Sequence, residues 1–87
     1  MTNEQKVERA KRVNRFLESE EWLTAWTSYR EMLINIIETA DSDEKAMDAR
    51  RMLRAAGKVR SHLTTLIKDG EIATAEMAAR KSNLRIA

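Results

Sequence analysis

Residues 20–40 read EEWLTAWTSYREMLINIIETA and contain the most regular apolar pattern of the chain. Its apolar residues recur at alternating steps of four and three positions, which is the spacing of a heptad seam on an α-helix. The seam positions are Trp22, Trp26, Tyr29, Leu33, Ile36 and Ala40. Ser19 is a suitable N-cap, and the two glutamates after it favour the positive end of the helix dipole. The pattern therefore predicts a helix from about Ser19 to about position 40 with one apolar stripe.

A second heptad-patterned helix is predicted from about Asp43 to Asp69. Its seam consists of Ala49, Met52, Ala56, Val59, Leu63 and Leu66, with Leu53 and Ile67 beside it. Residues 41–43 are all capable N-caps, so a tight turn is expected between the two helices. Gly70 follows the helix where a C′ glycine is typical. Two such helices joined by a short turn predict an antiparallel helical hairpin over residues 19–70.

The segments before and after this hairpin have weaker helical patterns. Residues 3–18 are predicted to form a basic helix, with capping-box spacing between Thr2 and Gln5. Residues 71–87 are predicted to form a weak helix to about Lys81 and then a tail, either disordered or an extended anchor carrying Leu84 and Ile86. The expected fold class is all-α: an antiparallel helical hairpin with an additional N-terminal helix and a short C-terminal helix or tail. We expect residues 1–87 to make one small domain.

Gly57 lies inside the predicted second helix, where glycine costs about 1 kcal/mol relative to alanine. The glycine either has a packing reason or is tolerated. Close approach of a bulky neighbour, such as a tryptophan, is the expected reason, and a hinge is the alternative.

The composition limits the classes of function. The chain has no cysteine and one histidine, His62, so a zinc site or a catalytic triad is not expected. No glycine-rich phosphate loop is present. We therefore expect no enzyme activity, no cofactor, no metal and no small-molecule substrate. No apolar run approaches the roughly 20 residues that span a bilayer, and the first residues lack a secretory signal, so a cytoplasmic protein without a membrane partner is predicted.

Association is the expected way for this chain to bury more apolar surface. A chain of 87 residues without disulfides has a small core, so a homo-oligomer or a larger protein assembly is predicted. The tryptophan pair has two interpretations: an aromatic platform for bases or a partner's pocket, or the packing face of a helix, which its stripe favours. Arg60 lies on the seam side, where we expect it to pair with an acid across the hairpin or across an oligomer interface, with Glu31 and Glu38 as the candidates. The residues predicted to carry association are Trp22, Trp26, Tyr29, Arg60, Ile72 and Met77.

Positive side chains are concentrated in the first helix and near the start of the second heptad helix. The net charge of +2 is too small to indicate nucleic acid by itself, and a solvated helix face has the same pattern. The alternative function is a small basic nucleic-acid-binding accessory protein, for example in DNA packaging. Its predicted phosphate contacts are Lys6, Arg9, Arg12, Arg15, Arg50, Arg51, Arg54 and Lys58.

Two stretches, WLTAWTSYREML at residues 22–33 and RRMLRAAGKVRSHLTTLIKDGEIA at residues 50–73, carry a resemblance to a known group. The positions involved are Trp22, Ala25, Trp26, Tyr29, Arg30 and Leu33, then Arg50, Leu53, Arg54, Gly57, Val59, Arg60, His62, Leu63, Ile67, Asp69, Gly70, Ile72 and Ala73. With these residues the chain resembles small helical proteins encoded among the head-morphogenesis genes of tailed bacteriophages. The resemblance leaves the basic first helix unmatched. It implies a virion or head-assembly role, in the host cytoplasm or the virion, and supplies no catalytic residues.

Overall fold

The computed structural model of the protein describes residues 1–86, with side chains described through Leu84. The chain forms three helices: α1 at Asn3–Glu18, α2 at Glu20–Thr39 and α3 at Asp43–Ile86. No strand occurs within residues 1–86, so the predicted all-α class is confirmed. Position 87, the last residue of the predicted tail, lies outside the described residues.

Polar side chains cap the starts of all three helices. Gln5 N donates to Thr2 Oγ1 at 3.1 Å while Thr2 N donates to Gln5 Oε1 at 2.9 Å, which is the predicted capping box. Ser19 accepts from Trp22 N at 3.2 Å, as predicted for an N-cap. At the start of α3, Lys45 N donates to Ser42 Oγ at 3.3 Å. The helix starts could therefore be located from the sequence because capping is a local interaction.

The chain divides into two compact units that both use α3. Unit 1 consists of residues 1–16 and 62–87, and unit 2 consists of residues 17–61. Unit 1 thus combines most of α1 with the later part of α3, and unit 2 combines α2 with the first part of α3. The single domain predicted over residues 1–87 stays a prediction.

Unit 2 has a very small core. Leu33 is 1% exposed and Ala49 is 3% exposed, and these are its buried apolar side chains. Other members of the predicted seams are open to solvent: Tyr29, Ile36, Met52 and Val59 are between 37% and 58% exposed. Each predicted seam is therefore partly buried and partly exposed within the chain.

Unit 1 is organised around a close approach of α1 and α3. Gly70 is buried, and a Cβ placed on it would overlap Ala10 Cβ and lie 3.3 Å from Lys6 O. Ala73, one turn further along α3, is 1% exposed. Arg9 Nη2 and Asp69 Oδ2 lie 3.9 Å apart beside this contact. The small residues allow the two backbones to come close together.

The prediction that a helix ends at Gly70 was wrong. α3 continues through this position to Ile86, and no glycine has a positive φ within the described residues. Residues 71–86 of the predicted separate C-terminal helix and tail are therefore part of α3. The physical reason is that Gly70 serves close packing against α1, and the alanine-rich sequence after it has good helix propensity.

The expectation of a bulky neighbour at Gly57 was also wrong. A Cβ placed on this residue would meet nothing within 4 Å. The glycine is tolerated in α3 without a packing reason in the described structure.

Candidate functional site

An open apolar groove lies on one side of unit 2, between α2 and α3. It has a volume of about 340 Å³, and no charged side chain is among the residues that line it. Those residues are Trp22, Ala25, Trp26, Tyr29, Ala56 and Val59. The alanines leave space between the larger side chains because each of them ends at Cβ. The groove is therefore an uncharged depression bordered by aromatic rings and a valine.

The apolar surface continues along both helices beyond the groove. Ile36 lies seven residues after Tyr29 on α2, and Met52 lies seven residues before Val59 on α3. Residues seven apart lie on the same side of a helix, so these side chains extend the line of the groove. We call the groove together with Ile36 and Met52 the apolar face. A contiguous exposed apolar surface of this kind typically marks an interaction site.

The tryptophans form a stacked pair within the apolar face. Their ring centroids are 5.6 Å apart and their planes differ by 22°. Both side chains are half-buried, so the pair packs on its own unit and still presents one side to solvent. The pair is thus part of the packing of unit 2, and the interpretation as a platform for bases or a partner's pocket stays a prediction.

Arg60 lies over the ring of Trp26, with the guanidinium carbon 5.4 Å from the ring centroid. This is the geometry of a cation–π contact. Arg60 and Glu31 line the same small groove, whereas Glu38 is not among the residues there. The predicted pairing of Arg60 with an acid stays a prediction. The contact with the aromatic ring, which lies 34 positions earlier in the chain, was not predicted.

The other two predicted association residues belong to unit 1. Ile72 is 57% exposed, and Met77 is half-buried. They follow the contact between Gly70 and Ala10 on α3 and take no part in the apolar face, which lies wholly in unit 2. Their predicted role in association stays a prediction.

The predicted phosphate contacts are divided between the two units. Unit 1 holds Lys6, Arg9, Arg12 and Arg15, and unit 2 holds Arg50, Arg51, Arg54 and Lys58. Three of these cations already have a partner: Arg9 lies 3.9 Å from Asp69, Arg51 Nη1 donates to Asp48 Oδ1 at 3.3 Å, and Arg15 Nε donates to Lys11 O at 3.5 Å. Arg50, Arg54 and Lys58 are exposed at steps of four residues on α3, which places them along one stripe of that helix.

Sequence reasoning did not single out Ala25 as a member of the site. Its signal was present in its spacing, since Ala25 lies three residues after Trp22 and four before Tyr29 on the same side of α2. What the sequence could not show was that this side remains open. The openness of this side depends on which arc of α2 is covered by α3. Leu33 is buried and Tyr29 is exposed, so the covered arc includes Leu33 and leaves the side with Tyr29 open.

No family model, curated protein or solved structure matches the chain. Within residues 1–86, no helix has the length and apolar character needed to cross a membrane. The same part of the chain contains no cluster of three or more histidine, aspartate or glutamate side chains able to hold a metal ion.

Proposed function

We propose that the protein is a non-enzymatic structural or assembly protein that oligomerises or docks on a larger protein partner through the apolar face. The observation that carries the proposal is the contrast within unit 2 between its core and its surface. Two apolar side chains are buried there, while an uncharged groove with two tryptophans stays open. Covering this surface would add apolar burial that a small chain cannot obtain alone.

Part of the proposal is that α2 and the first part of α3 form an antiparallel hairpin. Residues 40–42 connect the two helices, and Trp26 on α2 meets Arg60 on α3. These positions are 13 residues before the end of α2 and 17 residues after the start of α3. When two helices joined by a short connection run in opposite directions, residues that meet lie at similar distances along the chain from that connection.

The resemblance to small phage head-morphogenesis proteins makes the proposal more specific. It adds a role in the virion or in head assembly, with residence in the host cytoplasm or the virion. An apolar face on a small helical protein is compatible with that role because assembly proteins act through surfaces rather than through reacting groups.

The solution mass over a hundredfold range of concentration, at two salt concentrations, tests the proposal. Burial of apolar surface predicts a mass above the 10.0 kDa of one chain that rises with concentration and changes little with salt. A mass of one chain under all conditions contradicts self-association and leaves docking on another protein. In that case an environment-sensitive dye should bind the wild-type face and not a Tyr29→Glu variant.

The stripe of Arg50, Arg54 and Lys58 favours a second candidate function, binding of nucleic acid. Exposed cations at this spacing can contact phosphates along a duplex. Binding to random duplex DNA at low salt that is lost steeply at moderate salt would support it. An Arg54→Gln, Lys58→Gln double variant should then bind more weakly, whereas absence of binding at low salt contradicts this candidate.

A further inference from the structure

We infer that the occupant of the apolar face is a second copy of this chain, packed face to face about a two-fold axis that passes near Tyr29 and Ala56. This inference rests on the proposed function and names the partner for it. The resulting core would contain α2 and the first part of α3 from each copy, as in a four-helix bundle.

The chemistry of the face favours a copy of itself. None of the side chains that line the groove is charged, so a partner must bring an uncharged apolar surface that matches it. The charged groups of a nucleic acid or of a strongly charged protein surface would lose their water at this groove and gain no ion pair or hydrogen bond in return. A second copy of the chain carries the same uncharged apolar face and so provides such a surface.

The area of the face also fits a symmetric dimer. Tyr29, Ile36, Met52 and Val59 are between 37% and 58% exposed. Aromatic side chains offer roughly 150–250 Å² each and aliphatic ones somewhat less, so these four and the partly open tryptophans present on the order of 400 Å² of mostly apolar surface. A standard interface buries about 800 Å² on each partner, of which slightly more than half is apolar. One apolar face therefore supplies about what each side of such an interface needs.

The spacing along α2 indicates how the copies are arranged. Trp22, Tyr29 and Ile36 are separated by seven residues on either side of the tyrosine. If two α2 helices pack antiparallel with the axis at Tyr29, Trp22 of each copy lies opposite Ile36 of the partner copy. A large aromatic ring then meets a smaller aliphatic side chain twice, which satisfies the self-complementarity of an isologous interface.

The first part of α3 has a matching arrangement. Met52 and Val59 lie on opposite sides of Ala56, four and three residues away from it. Ala56 and Tyr29 line the same groove, so an axis at Tyr29 passes close to Ala56. Antiparallel packing of the two α3 segments then sets Met52 against Val59 of the second copy, with the small alanine at the crossing point.

Single cysteines test this geometry directly, because the chain contains no cysteine of its own. Ala56→Cys, near the axis, should give a covalent dimer in high yield with a short thiol-reactive cross-linker. Leu23→Cys is the matched control, since Leu23 is exposed on α2 outside the groove. Its cross-linking should be at least tenfold slower. Equal rates for both variants would overturn the inference.

Charge placed on the face provides the second test. Tyr29→Glu and Val59→Glu should each raise the dimer dissociation constant at least tenfold, and Leu23→Glu should leave it within twofold of the wild type. All three residues are exposed within the chain, so each variant should keep its helical circular dichroism. A wild-type oligomer that persists in both face variants, or that is larger than a dimer, overturns the inference but preserves an assembly function. A wild type that is monomeric at every concentration also overturns the inference of a dimer. If that monomer binds DNA and loses the binding in Arg54→Gln, the proposed assembly function is contradicted as well.

Discussion

Gly70 of α3 lies directly against Ala10 of α1, so closely that a side chain on the glycine would overlap the alanine Cβ. This contact holds the centre of unit 1 and accounts for a glycine within a continuous helix. Substitution Gly70→Ala should destabilise the protein by about 1–3 kcal/mol, because Ala10 is a short side chain on a helix and cannot move away without the backbone. Urea denaturation followed by circular dichroism measures the change. Unchanged or increased stability would show that the two helices are not in close contact.

Gly57→Ala is the matched substitution and should have the opposite sign. The added methyl group meets nothing within 4 Å, and alanine is the better helix former. We expect a gain of up to about 1 kcal/mol in the free energy of unfolding. A loss of stability in the same assay would indicate that a neighbour approaches Gly57 after all.

Leu33 should be the most sensitive large side chain of unit 2. It is 1% exposed, and truncation in Leu33→Ala should cost about 2–5 kcal/mol through lost burial and the cavity left behind. Leu23→Ala serves as the control, because Leu23 is exposed on the same helix. The thermal midpoint of each variant gives the comparison, and similar losses for both would contradict the packing described for α2.

Arg60 should contribute to stability through Trp26. Removing the guanidinium in Arg60→Ala should cost about 0.5–1 kcal/mol, the range of an exposed cation–π contact, and should alter the tryptophan emission. Arg54→Ala removes an exposed arginine of the same helix and should leave the emission unchanged. Identical emission spectra for both variants would contradict the contact between Arg60 and Trp26.

The parts of the fold that depend on neighbouring residues could be predicted from the sequence. The capping pair Thr2 and Gln5 and the N-cap Ser19 act within four residues, so their roles followed from spacing. Gly70 could not be interpreted correctly in this way. A glycine after a heptad pattern is typical of a helix end, and only the approach of Ala10 from a distant part of the chain shows why this helix continues.

The candidate site was predicted in part. Trp22, Trp26 and Tyr29 were identified, because aromatic residues on a seam indicate either a core or an interface. The open groove was not, because exposure of Tyr29 depends on the arc of α2 that α3 covers. The sequence signal for such a surface is the combination of two apolar seams with a chain too small to bury much apolar area alone.

Association through the apolar face can be followed by acrylamide quenching of tryptophan fluorescence across a hundredfold range of protein concentration. Both tryptophans of the chain line the apolar face, so their emission reports on whether that face is covered. The tryptophans of the wild type should become less accessible to the quencher as the mass rises, while those of Tyr29→Glu should stay accessible at every concentration. Quenching that stays constant while the mass of the wild type increases would show that the chain associates through a different surface.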